Sequence, residues 1–127
     1  MERRVFEALA TSGYGDITIA QARLVQRIGP DGTRLTALAE QAQVTKQTAG
    51  FLVDQLARAG YVERVPDPAD GRARLIRLTE RGRRTAELAN NTAEQVQAEW
   101  AHHLGPRATD QLRRALTTLR GITDPYV

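Results

Sequence analysis

The sequence predicts a mainly α fold in which a helix-turn-helix leads into a two-stranded hairpin, with further helices on both sides. Three observations predict it. Two capped helical segments meet across Gln43 and Val44, a join so short that the helices must cross steeply. The segments YVERVP and ARLIRL flank DPADGR, a polar turn rich in Pro and Gly, as the arms of a hairpin do. From Thr79 to about Leu104, apolar residues recur at steps of three and four, the period of a long amphipathic helix.

Taken in order, Val5, Phe6 and Leu9 lie at helical spacing over residues 2–10, and Gly13-Tyr14-Gly15-Asp16 breaks the pattern. Asp16 is expected to cap a second helix with the stripe Ile17, Ala20, Leu24 and Ile28, which stops at Gly29-Pro30-Asp31-Gly32. Thr36 is expected to cap a third helix over 37–42, and Thr45 a fourth that ends at Gly60. After the hairpin, Ala86, Ala89, Ala93, Val96, Trp100 and Leu104 form a seam suited to helix pairing. Gly105-Pro106 then stops one helix and starts the last, with Leu112, Leu116 and Leu119 on one side.

The chain has 127 residues, 41% of them hydrophobic, which suits a single domain over 1–127. It contains no cysteine, so disulfide, thiolate-metal and thiol-redox chemistry are excluded. No apolar run approaches the roughly 20 residues of a membrane span, and the first residues lack the pattern of a secretory signal, so a cytoplasmic protein is expected. Charge is unevenly placed. Residues 45–84 hold nine basic and five acidic side chains, a surplus of four, whereas the flanking segments together carry no positive excess. The net charge of +3 therefore arises in the helix-turn-helix and hairpin.

On the fourth helix, Ala49, Leu52, Val53, Leu56 and Ala59 fall in one sector, leaving Lys46, Gln47, Gly50, Phe51, Asp54 and Arg58 on the other side. Lys46 is the chain's only lysine. Alone, that outer face is what any solvated amphipathic helix would show. Joined to a turn-spaced preceding helix and a hairpin bearing Arg72 and Arg74, it matches a duplex-binding element: Lys and Gln reach base edges and phosphates, and arginine is drawn to a narrow minor groove.

Over residues 35–83 the sequence resembles the MarR family of winged helix-turn-helix transcription factors. The most specific part is DGRARLIRLTERG: an Asp, an Arg two residues on, an apolar return strand, then Leu-Thr-x-x-Gly. The resemblance implies a DNA-binding lobe over 16–84, and dimerisation helices over 1–12 and 85–127. It implies that Thr45, Lys46, Gln47, Thr48, Gly50 and Phe51 belong to the recognition helix, that Arg72 and Arg74 are wing contacts, and that Asp70 braces the wing by pairing with an arginine. Phe51 stands where many relatives carry a polar or basic residue, and either touches a thymine methyl or packs inside the protein. The implied function is a repressor that binds a palindromic operator as a homodimer and is released by a small aromatic or anionic effector. Tyr14 and Trp100 are candidates for that effector's pocket. The competing class is a winged-helix interaction module that holds an acidic protein and does not read DNA.

Other chemistries lack their parts. His102 and His103 are adjacent and so diverge on a helix, whereas metal pairs want a spacing of three or four. Ser12, the only serine, sits in a turn without a placed base, and no glycine-rich phosphate loop occurs, so neither an enzyme nor a cofactor is expected. Aromatic content of 5% argues against a base-stacking surface for RNA.

Overall fold

The structure is a computed structural model and describes residues 1–124. The order of elements is α1 Glu2–Thr11, α2 Ile19–Val25, α3 Leu35–Ala42, α4 Lys46–Arg58, β1 Val62–Asp67, β2 Asp70–Leu78, α5 Glu80–Leu104 and α6 Pro106–Thr123. The mainly helical expectation holds, with one antiparallel pair, β1 against β2. A bridge between Thr33 and Ile76 adds a third short rung to that sheet ahead of α3. Among the described residues, no helix is long and apolar enough to cross a membrane.

The core sits where α2, α3 and α4 meet the hairpin. Leu24, Leu38, Val53 and Leu56 are fully buried there, and Tyr61, Val62 and Ile76 close it from the sheet side. Leu9 plugs the same core from α1. Further out, α1 packs along α5, fastened by a two-pronged bond from Arg4 to Glu99 at 2.5 and 3.1 Å.

Three local expectations are corrected. Asp16 does not cap α2; Thr18 does, in a reciprocal capping box with Gln21. Asp16 is engaged by the Tyr61 hydroxyl and the Arg81 guanidinium instead. Consequently Ala20 is exposed, and Gln21 and Val25 join Leu24 on the buried face. Thr36 does not cap α3, which starts at Leu35 after Arg34 with no side-chain cap. Thr33 is held in the bridge to Ile76, so the chain turns directly into the helix and Thr36 falls in its exposed first turn. The turn of the hairpin is tighter than DPADGR. Asp67 Oδ1 accepts from the Ala69 amide at 2.9 Å, closing a turn on its own side chain, so pairing runs on to Asp67 opposite Asp70.

The stripe on α5 divides between two tasks. Ala86, Ala89 and Ala93 are half-buried and Val96 is buried, whereas Trp100 and Leu104 are exposed. Their outward end continues onto α6, where Leu112, Leu116, Leu119 and Ile122 are 49–81% exposed.

Candidate nucleic-acid interface

The turn between α3 and α4 is made by Gln43 in the left-handed region (φ 57°), after which Thr45 caps α4 by accepting from the Thr48 amide at 3.1 Å. The Thr45 hydroxyl also donates to the Thr48 hydroxyl at 2.9 Å, which commits Thr45 to helix initiation and leaves the Thr48 hydroxyl hydrogen available to a further acceptor. Burial of Ala49, Leu52, Val53 and Leu56 fixes the rotation of α4 about its axis. Opposite them, at successive steps of four, three and four, Gln47, Phe51, Asp54 and Arg58 form an exposed outward ridge. Lys46 and Thr48 flank its first turn and are exposed as well. Gly50 is half-buried, and a Cβ there would meet only Leu35 Cδ2 at 3.8 Å, so internal sterics do not demand glycine.

The hairpin is tied to both helices. Arg64 on β1 bonds to Asp54 on the ridge at 2.6 Å, so the sheet lies beside the outward face of α4. At the hairpin's far end, Arg34 reaches the buried Asp67 with Nη2 at 2.7 Å and Nε at 2.9 Å, and lies 3.8 Å from Asp70. Asp70 Oδ1 also accepts from the Arg72 amide at 3.1 Å. Asp67, which sequence reasoning missed, is thus the principal brace, with Asp70 as a weaker second. Its signal was the Asp-Pro start of the turn. The Ala69 amide, and then the Arg34 guanidinium, hold the Asp67 carboxyl below the ordinary carboxylate range.

The wing's arginines fall into two kinds. Arg64 and Arg77 are neutralised by Asp54 and Glu63, each at 2.6 Å. Arg72 and Arg74, toward the tip, are exposed, and among the described residues neither has a carboxylate within 4.0 Å. An uncompensated guanidinium pair on a braced hairpin is a surface for an anion.

The Leu-Thr-x-x-Gly segment has a different task. The Thr79 hydroxyl donates to the Gly60 carbonyl at 2.6 Å and accepts from the Gly82 amide at 3.1 Å, so one side chain closes α4 and opens α5. Beside it Arg81 lies 4.6 Å from the Tyr61 ring centroid and 5.0 Å from that of Tyr14, and donates to the Tyr61 hydroxyl at 3.1 Å. The Tyr61 hydroxyl in turn donates to Asp16. Burial first, then the bond to Asp16, push the Tyr61 phenol up to about 12. Because the folded form favours the neutral phenol, this contribution to stability is intact below the ordinary tyrosine range near 10 and is lost as pH rises toward about 12. In an ultraviolet titration, one late phenolate transition is expected; Tyr61→Phe should abolish it, and its survival would reassign it.

Tyr14 therefore belongs to this cluster under α5. Trp100 lines a separate groove of ≈ 620 Å³ between α5 and α6, with Leu104, Leu112 and Leu116, so the two effector-pocket candidates are not brought together. A second cavity, of ≈ 490 Å³, lies between α1, α2 and α5; Val5, Phe6, Ile19 and Ala89 line it, with Glu2 and Arg23 among its polar members.

A turn-linked helix pair whose second member presents an exposed outward ridge, followed by a braced basic hairpin, defines the winged helix-turn-helix class. The model of the MarR family matches residues 15–73. Among curated proteins, the exopolysaccharide II synthesis transcriptional activator ExpG of Rhizobium meliloti is 28% identical over 110 residues, 87% of this chain and 54% of its own length. The chain thus spans about half the length of that relative. Among solved structures, a transcriptional regulator of Thermotoga maritima is 29% identical with a TM-score of 0.66, covering 94% of this chain and 83% of its own. FabT of Streptococcus pneumoniae, solved in complex with DNA, is 22% identical with a TM-score of 0.76, covering 95% and 87%. Over residues 15–73 the chain is similar to the MarR family, and the relatives it matches are named transcriptional regulators.

Proposed function

We propose that this protein binds a palindromic DNA operator as a homodimer and regulates transcription by occupying it. The observation that carries the proposal is the pairing of Arg64 with Asp54, which sets the hairpin beside the outward ridge of α4 while Arg72 and Arg74 stay unneutralised toward the tip. Gln47 would read base edges in the major groove, with Lys46 and Thr48 on base edges or adjoining phosphates. Arg72 and Arg74 would enter a neighbouring minor groove or grip its phosphates. The two-fold partner would cover the apolar face formed by Trp100, Leu104, Leu112, Leu116, Leu119 and Ile122. The 1–12 and 85–127 segments then serve dimerisation, and 16–84 serves DNA binding.

Repression follows where the operator overlaps a promoter. ExpG is named an activator, so operator position rather than fold would set the sign. A small aromatic or anionic effector would enter the cavity between α1, α2 and α5, where Arg23 is held only loosely by Glu2 at 3.8 Å. By favouring one spacing of the two lobes it would shift the dimer away from the arrangement that fits consecutive grooves.

Selection of bound sequences from random duplexes is expected to enrich a palindrome with half-sites about 10 base pairs apart. Its affinity should fall by about three to five decades between 50 and 200 mM salt if roughly 6 to 10 phosphates are neutralised. Absence of any enriched sequence, with binding to an acidic protein instead, would favour the interaction-module class.

A further inference from the structure

We propose that Phe51 reads the 5-methyl group of a thymine in each half-site, within about two base pairs of the base contacted by Gln47. The proposal rests on the DNA-binding function above and assigns the specificity of the same helix. Phe51 is 60% exposed and sits in the middle of the α4 ridge, opposite Ala49, Leu52, Val53 and Leu56. The alternative left by the sequence, that it packs inside the protein, is therefore corrected. Its ridge neighbours Gln47, Asp54 and Arg58 are all polar, so the ring belongs to no apolar patch of α4.

The chemistry of the major groove narrows its partner to one group. A phenyl ring neither donates nor accepts, and the thymine methyl is the one apolar feature on the base edges of that groove. Set against guanine O6 and N7 or cytosine N4, the ring would strip water from polar atoms and return no hydrogen bond. Asp54, which would otherwise accept from a cytosine amine at the next turn, is held by Arg64 at 2.6 Å, so the helix offers no free carboxylate beside Phe51. Spacing sets the register. Gln47 and Phe51 are four residues apart on one ridge, a rise of about 6 Å along the helix, and successive base pairs rise about 3.4 Å.

The test uses the full chain and the palindrome recovered by selection. Each thymine is replaced in turn by deoxyuridine, which removes the methyl and leaves pairing intact, and binding is followed by fluorescence anisotropy. One thymine per half-site is expected to show a loss of about fourfold, or about 15-fold when both half-sites are changed, as burial of one methyl implies. F51A should bind thymine and deoxyuridine sites equally at that position, while F51L, which keeps an apolar tip, should still discriminate. Circular dichroism should show all three proteins folded, since the substituted ring is exposed. Indifference of the unaltered protein to every deoxyuridine, or equal discrimination by F51A, would overturn the assignment while leaving operator binding intact. Failure to recover any preferred duplex would overturn operator binding and the assignment together.

Discussion

Replacing Gly82 by alanine is expected to cost about 3 kcal/mol or more of stability, the upper end for overpacking a core, and to lower Tm by about 10 °C. A Cβ at Gly82 would stand 2.1 Å from the Tyr61 carbonyl oxygen and 3.1 Å from Leu78 Cδ2. The first contact is with main chain, so no side-chain rotation relieves it. Relief requires α5 to withdraw from the loop between α4 and β1. That withdrawal breaks the bonds that Thr79 makes to Gly60 and Gly82, and separates the Thr79 amide from the Tyr61 carbonyl, now 3.0 Å apart. The hairpin and α4 would lose their common anchor, so affinity for the proposed operator should fall with stability. Gly71→Ala is the control: a Cβ there meets nothing within 4 Å, and its Tm should stay within about 2 °C of the parent, as an unstrained surface change implies. Thermal melts of the two variants decide the matter, and a Gly82→Ala protein as stable as Gly71→Ala would show that α5 is not packed as closely as described.

This close approach also shows why some features were legible in the sequence and others were not. The starts of α4 and α5 were readable because the Thr45 and Thr79 hydroxyls accept from amides three positions on, and the end of α4 because Gly60 takes a positive φ. The outward face of α4 was readable because its four buried residues keep the helical period. Asp16 and Thr36 misled because each has the right chemistry for a cap, and competing partners decided the outcome. Tyr61 and Arg81 claim Asp16, 45 and 65 positions further along the chain, and the bridge from Thr33 to Ile76 shifts the start of α3. The Asp67 brace was hidden for the same reason: Arg34 precedes it by 33 positions, and only the folded sheet brings the two together. Trp100 was placed correctly on the seam of α5, but periodicity cannot say whether a seam is covered by the same chain or left open.

Loss of both tip arginines should produce the largest change in DNA binding. In the proposed dimer, Arg72→Ala, Arg74→Ala removes four guanidiniums, and if each neutralises one phosphate the slope of log affinity against log salt should become shallower by about 3 to 4. The substitution is clean structurally, because both side chains are exposed and no ion pair of the described residues is broken. The bond from the Arg72 amide to Asp70 survives as well, since it uses main chain. Stability should therefore move by no more than about 0.5 kcal/mol, separating this effect from that of Gly82→Ala. Lysine at both positions then distinguishes the two modes of contact. If the wing only grips phosphates, lysine restores both slope and affinity, because a point charge suffices there. If the arginines enter a narrow minor groove, lysine restores the slope but not the preference for A·T pairs flanking the half-site, since arginine is the less strongly hydrated cation and costs less to move into that channel. An unchanged slope in the double alanine protein would mean that the hairpin stands clear of the duplex, and the surplus charge of the middle segment would then need another partner.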